Sequence, residues 1–284
     1  MSKIIFGIDV GGTTCKCGTF SKEGELLRKE EIPTRKDEGG SLILPDISEY
    51  IKGVLADMNM TTEDVAGIGM GLPGACLEDG TVNKCINLGW GVFNAANALS
   101  ELTGIPVKIG NDANMAALGE FWVGGGSEYN SMVMVTIGTG VGGGVIIDGK
   151  PLYGFNGAAG EIGHLPLVEG ETESCNCGKK GCLEQVASAT GIVRTANRML
   201  AESDMPSSLR SVPYISAKVI FDEAKGGDAL AIQVTEYVCR YLGKGLACAA
   251  GMVDPEVFVI GGGVSKAGEV LLSFIEKPFM EKAF

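Results

Sequence analysis

The chain has 284 residues, long enough for one large domain or two modest ones with a buried core of their own. Its 23 basic and 35 acidic residues give a formal net charge of −12, the opposite of the basic footprint that nucleic-acid binding requires. No run of eighteen apolar residues suggests a membrane span, and the N-terminus lacks the apolar core and cleavage site of a secretory leader. A cytoplasmic protein, with no nucleic acid and no membrane among its partners, is the expectation.

The predicted elements follow in chain order. Residues 3–9 read as a buried strand, Gly11-Gly12 as a tight turn, and Cys15 to Phe20 as a returning strand. Lys22-Glu23-Gly24 turns the chain again into a third strand, Glu25 to Ile32. Ile43, Ile47, Ile51, Val54 and Leu55 lie at helical spacing and predict a helix over 41–58, with Pro45 in its first turns. Val65 to Met70 is a strand, Asp79-Gly80 a hairpin turn, and Asn94 to Leu102 a helix. A short strand, Val107 to Gly110, leads into Asp112, which in isolation reads as the N-cap of a helix over 113–122.

Gly124-Gly125-Gly126 reads as a loop or hinge. Ser131 to Ile137 is a strand, Gly138 to Gly144 a glycine turn, and Val145 to Ile147 a second strand closed by Asp148-Gly149. Helices dominate from Ala187 to Val253, and a last buried strand, Val257 to Ile260, runs into Gly261-Gly262-Gly263. The strand–glycine turn–strand pattern therefore occurs twice, over 4–20 and 132–147, and implies a duplicated α/β architecture with a cleft between its halves.

Glycine is the compositional anomaly: 44 residues, about twice the usual share of roughly 7%. Two matches to Gly-x-Gly-x-x-Gly, at 138/140/143 and 69/71/74, lack the following helix that a dinucleotide site needs. Glycine turns between strands still present converging N–H groups to a phosphate and let it approach closely. Asp9 beside the first turn, with hydroxyls on Thr13, Thr14 and Thr139, suits a phosphate chain carrying Mg2+.

Cysteine is unusually frequent, at nine residues, and the chain has a single histidine. His164, Cys175, Cys177 and Cys182 lie in one polar segment, and Gly178 and Gly181 permit the turns that bring thiols together. One imidazole and three thiolates complete a tetrahedron, so the expected metal is a structural zinc. Asp112 together with Glu161 and Glu184 suggests an enzyme that transfers a phosphoryl group to a hydroxyl, one carboxylate taking the proton and the others holding neighbouring hydroxyls.

These motifs resemble those of the ROK family (repressors, open reading frames, kinases), and in particular its sugar kinases of the glucokinase kind. The matching segments are IDVGGTTCK at 8–16, NDANMAALGE at 111–120, TIGTGVGGG at 136–144, AGEIGH at 159–164, CNCGKKGCLE at 175–184 and IGGGVS at 260–265. The resemblance implies an actin-like, hexokinase-like (ribonuclease H-like) duplicated α/β fold, with a small N-terminal domain over 1–112 and a large domain over 113–284 that contains the zinc segment. It implies an ATP-dependent hexose kinase, with glucose the leading acceptor. Fructose, allose, mannose or N-acetylmannosamine, and a sugar-binding regulator without catalysis, are the alternatives. Polyphosphate is the alternative donor.

Carried over by position, Asp112 would be the base. Gly74, Asn87, Asn111, Asp112, Glu161, His164 and Glu184 would bind the sugar, with Trp90 close to it. Asp9, Gly11, Gly12, Thr13, Thr14, Lys16, Gly138, Thr139, Gly140, Gly261, Gly262 and Gly263 would bind the nucleotide with its Mg2+. His164 would present one ring nitrogen to zinc and the other to sugar. A homo-oligomer, dimer or tetramer, is expected. With eight residues before Asp9, a repressor's helix-turn-helix is not expected, and by the same resemblance family kinases continue some thirty residues beyond the position matching Phe284.

Overall fold

The computed structural model describes residues 3–284; Met1 and Ser2, at the head of the expected leaderless N-terminus, lie outside the described residues. The chain falls into two compact units. Unit 1 runs to Ala116 and takes back Leu152–Ala159; unit 2 comprises Ala117–Pro151 and Gly160–Phe284.

In unit 1 the strands β1 (Ile4–Val10), β2 (Thr14–Ser21) and β3 (Leu26–Pro33) form the expected meander. A single turn α1 (Asp37–Gly40) leads into α2 (Ile43–Asp57), then β4 (Val65–Leu72). The small ladder β5 (Ala75–Cys76), β6 (Thr81–Lys84) and β7 (Phe93–Asn94) is built on the Asp79-Gly80 turn. Helix α3 (Ala95–Thr103) is capped by the Asn94 side chain, which accepts from the Asn97 N–H at 2.8 Å, and β8 (Val107–Asn111) follows. The sheet order is β3-β2-β1-β4-β8, with β1, β4 and β8 parallel. Alternation along β1 buries Ile4, Phe6, Ile8 and Val10, which pack with Ile47, Ile51 and Leu99 from α2 and α3.

Unit 2 begins within helix α4 (Asp112–Val123). Its sheet is built from β9 (Met132–Ile137), β10 (Val141–Ile147), β11 (Lys150–Pro151) and β12 (Val257–Gly261), in the order β11-β10-β9-β12. Period-two alternation splits β9 between two cores: Met132 and Met134 face Ala117, Leu118 and Phe121 of α4, and Val133, Val135 and Ile137 face the opposite layer. That layer comprises α5 (Glu184–Ala187), α6 (Ala189–Glu202), α7 (Ala217–Lys225), α8 (Ala229–Val253) and α9 (Glu269–Met280). Among the described residues no helix is long and apolar enough to cross a membrane.

The repeat read from the sequence is present in the pairing. In each unit a hairpin (β1–β2, β9–β10) is antiparallel and its first strand pairs in parallel with a later one, β4 or β12. Asp9 lies opposite Gly71 in the first register and Thr136 opposite Gly261 in the second.

Three local expectations change. The second glycine turn is only Gly138–Gly140: Gly142, Gly143 and Gly144 are inside β10, paired with Thr136, Val135 and Met134. A glycine run can lie in a strand when a close neighbour fills the space of its side chains, and here Gly160 backs Gly143. The strand β12 is half-exposed along its whole length, because only β9 pairs with it. The N-cap of α4 is Asn111, not Asp112: the Asn111 Oδ1 accepts from the Ala113 N–H at 2.9 Å and the Asn114 N–H at 3.3 Å.

Candidate phosphate turns, carboxylate base and metal centre

The two glycine turns are each closed by a short backbone bond, Gly11 N–H to Thr14 O at 3.0 Å and Gly138 N–H to Gly140 O at 2.9 Å. Each turn is also held from a later segment of its own unit. The Thr34 hydroxyl donates to Gly11 O at 2.8 Å, and the Ala189 N–H at the start of α6 donates to Gly138 O at 2.8 Å. Thr13, Thr14 and Thr139 are exposed on these turns. Asp9 and Lys16, cross-strand neighbours at the mouth of the first hairpin, form an exposed ion pair at 3.6 Å. The third glycine cluster follows β12; Gly262 has φ +85°, and a side chain there would meet Ile137 O at 2.5 Å.

Asn111 and Gly74, both expected near the sugar, are brought together in unit 1: the Asn111 Nδ2 donates to Gly74 O at 3.4 Å. The Cys76 thiol donates to the same carbonyl at 3.5 Å, and the Cys85 thiol donates to Pro73 O at 3.3 Å. Asn87 sits on an exposed 3-10 turn, Ile86–Leu88, while Trp90 just beyond it is buried and donates from Nε1 to Gly40 O at 3.0 Å.

Asp112 occupies the first position of α4 and accepts from the Ala113 N–H at 2.8 Å. It shares that N–H with the Asn111 cap, which also holds the Asn114 N–H. It keeps solvent access, but the surrounding protein desolvates it enough to push its carboxyl above the ordinary range. The Ala113 N–H opposes that rise and the negative charge of Asp9 adds to it. An acid held closer to neutrality in this way is a better proton acceptor.

In unit 2 the four expected donors converge. One ring nitrogen of His164 and the sulfurs of Cys175, Cys177 and Cys182 all lie within 4.8 Å of one another. Cys177 and Cys182 sulfurs are 3.6 Å apart, and His164 Nδ1 is 3.7 Å from Cys175 Sγ. With zinc–sulfur bonds of about 2.3 Å and zinc–nitrogen of about 2.0 Å, the edges of a tetrahedron are about 3.8 and about 3.5 Å, so donors and spacing both fit zinc. The loop is shaped by left-handed glycines: Gly178 at φ +83° and Gly181 at φ +79°. Burial pushes the Cys175 and Cys182 thiols up; at Cys177 burial is outweighed by the Lys179 N–H and the neighbouring thiols, and that thiol is lowered.

The carboxylates beside this centre divide around the imidazole. Glu161 Oε2 is 3.8 Å from His164 Nε2, and Glu184 Oε1 is 3.8 Å from His164 Nδ1. Glu184 accepts from the Cys175 thiol at 2.8 Å and from the Val141 N–H at 3.4 Å, so it spans the cysteine loop and the second glycine turn. Sequence reasoning missed the side chains that hold this loop, Gln185 and Arg194. Their partners are scattered over residues 171–185, and no local spacing announces such a contact.

The ROK family model matches residues 5–283. A glucokinase of Halalkalibacterium halodurans is 43% identical over 277 residues, covering 96% of this chain and 84% of the relative. The crystal structure of a ROK family glucokinase from Streptomyces griseus, in complex with glucose and AMPPNP, has a TM-score of 0.72 at 32% identity and covers 98% of this chain and 89% of that one. A ROK family transcriptional regulator homologous to the E. coli MLC protein has a TM-score of 0.86 at 29% identity, covering 100% of this chain and 71% of that one. The repeated strand order and these likenesses give the chain the actin-like α/β fold.

Proposed function

The chain belongs to the ROK family and is a sugar kinase; from that premise we propose that it transfers the terminal phosphoryl group of ATP to the 6-hydroxyl of glucose. The observation that carries the reading is Asp112, a carboxylate at a strand–helix junction beside the Asn111 cap, exposed to solvent and raised in pKa by the protein around it. In this reading Asp112 takes the proton of the sugar hydroxyl as its oxygen bonds to the γ-phosphorus and the bond to ADP breaks. General-base assistance of this kind is worth typically 10²–10⁴-fold. The rest is positioning and charge, as phosphoryl transfer requires.

Unit 1 supplies the base, Asn111, Gly74 and Asn87 for sugar hydroxyls, and the turn Gly11–Thr14 with Asp9 and Lys16 for phosphate and the waters of Mg2+. Unit 2 supplies Glu161, Glu184 and the Nε2 side of His164 for hydroxyls, Gly138–Gly140 for phosphate, and Gly261–Gly263 for the nucleoside. Zinc held by His164, Cys175, Cys177 and Cys182 would supply a rigid anchor for the loop, and four protein ligands leave it no open position. A dimer or tetramer is part of the same proposal.

The test measures sugar-phosphate formation from glucose, fructose, allose, mannose and N-acetylmannosamine, with ATP or polyphosphate as donor. Glucose with ATP is expected to give the highest kcat/KM. Absence of sugar phosphate with every one of these hexoses and both donors overturns the proposal, and a higher kcat/KM for another hexose reassigns the acceptor.

A further inference from the structure

The loop that carries three of the four metal donors is open to solvent over most of its length, from Thr172 to Lys180, with Cys175 the buried exception. A loop this exposed would pay a large ordering cost when it closes on a metal, unless something holds it beforehand. One side chain from α6 does so. Arg194 donates from Nη1 to the Glu173 carboxylate at 2.6 Å, and from Nη2 both to the Glu171 carboxylate and to the Gln185 carbonyl, the latter at 2.8 Å. Gln185, which is buried, closes the figure: its Oε1 accepts from the Cys182 N–H at 3.1 Å and its Nε2 donates to Glu173 O at 3.1 Å. Glu171 is the inner anchor, its side chain only 9% exposed, and it also accepts from the N–H groups of Thr172 and Glu173.

We propose that Arg194 is a positioning residue for the metal loop: by tying the loop's entry at Glu171 and Glu173 to its exit at Gln185, it sets the separation of the cysteine donors and the placement of Glu184. This rests on the reading of the loop as the metal-holding part of a sugar kinase. The chemistry calls for arginine. Three acceptors from two segments converge on one planar fork, and a lysine ammonium offers a point charge without that fork. The brace involves no metal ligand side chain, so it orders the loop through backbone and carboxylates alone. A purely structural role, anchoring α6, would lower thermal stability and leave metal affinity and sugar KM where they were.

The experiment measures zinc affinity by competition with a chromogenic chelator on the full chain, for wild type, Arg194→Lys, Arg194→Met and the milder Glu173→Gln. Outer partners of metal ligands typically contribute 10–100-fold to affinity, so Arg194→Met is expected to bind zinc about 10–100-fold more weakly. Arg194→Lys should recover only part of that loss. Glu173→Gln, whose side chain is 67% exposed, should show the smallest change and keeps the test open if Arg194→Met does not fold. At limiting zinc the KM for glucose should rise in Arg194→Met while the KM for ATP stays put, and saturating zinc should restore most of the difference. Zinc affinities of Arg194→Met and Glu173→Gln both within twofold of wild type overturn the proposal, as does a wild type that takes up no zinc. A wild type that binds zinc and phosphorylates no hexose overturns the functional reading instead, and the chelator competition still decides the brace.

Discussion

In unit 1 the strand β4 lies between β1 and β8, and Val65, Ile68, Met70 and Leu72 are buried. In unit 2 its counterpart β12 pairs with β9 alone, and Val257, Phe258, Val259 and Ile260 are each half-exposed. The two strands read alike as apolar runs, and they occupy the same place in a repeated hairpin-plus-parallel-strand plan. The chemistry is unequal too. Where unit 1 has Asp9 facing Lys16 across the hairpin, the matching register of unit 2 has Thr136 facing Gly142. One copy of the plan carries acids at its strand ends; the other carries a loop of three cysteines and a histidine, with two carboxylates around the imidazole. The repeated plan fixes where glycine turns fall, and the side chains placed beside them give each half its own chemistry.

The largest expected effect breaks that asymmetry at its acid. Asp112→Asn keeps size and polarity but removes the acceptor, so kcat should fall by about 10²–10⁴-fold with the KM for glucose little changed. Burial raises the folded-state pKa of Asp112, so the fold is favoured below the unfolded carboxyl value and loses that advantage as pH rises through the folded one. At neutral pH the Asn variant should therefore melt no lower than wild type. Steady-state kinetics beside a thermal melt checks both halves of this statement.

Packing is the next contrast. Ile68→Ala, at 3% exposure in the central strand, should cost about 2–5 kcal/mol by loss of transfer energy plus a cavity. Ile260→Ala on the half-exposed strand should cost about half as much or less, since less apolar surface returns to water. Urea midpoints for the pair decide it, and equal losses would mean that β12 is covered in solution.

Smaller still is a glycine pair. Gly262→Ala forces a side chain into a left-handed position against Ile137 O and should destabilise by about 1–3 kcal/mol. Gly12 has open space around its Cα, so Gly12→Ala should leave the melting temperature nearly unchanged while raising the KM for ATP. A Gly12→Ala protein with normal nucleotide KM would reduce the first turn to a mere hairpin.

The smallest effect is in pH. Asp112 must be ionised to accept a proton, so kcat/KM should fall as pH drops through its raised pKa, above the usual aspartate value of about 3.9. Removing the nearby charge with Asp9→Asn should shift that acid limb to lower pH.

Much of this was legible from residue order. The alternating burial of β1, the helical spacing of Ile43, Ile47 and Ile51, and the Asn-and-glycine punctuation are local signals, and local structure followed them. The grouping of His164 with Cys175, Cys177 and Cys182 was legible because its residue types are scarce and its glycines permissive. What escaped was non-local. An apolar run such as Val257–Ile260 looks the same at the centre and at the edge of a sheet, since periodicity does not count partners. Asn111 displaced Asp112 as cap because either residue suits the position and only geometry chooses. Arg194 touches acceptors 9 to 23 positions away, a contact that no spacing rule anticipates.

The central claim is a division of labour between the acid of unit 1 and the metal loop of unit 2, and one kinetic matrix tests it most directly. It comprises kcat, KM for glucose and KM for ATP, with zinc content, for wild type, Asp112→Asn and Cys177→Ser. The account predicts a kcat defect without a glucose KM defect in Asp112→Asn. In Cys177→Ser it predicts zinc below one per chain and a glucose KM raised by about tenfold or more, with the ATP KM retained. A metal-free Cys177→Ser with normal glucose KM, or an Asp112→Asn with near-normal kcat, would contradict it.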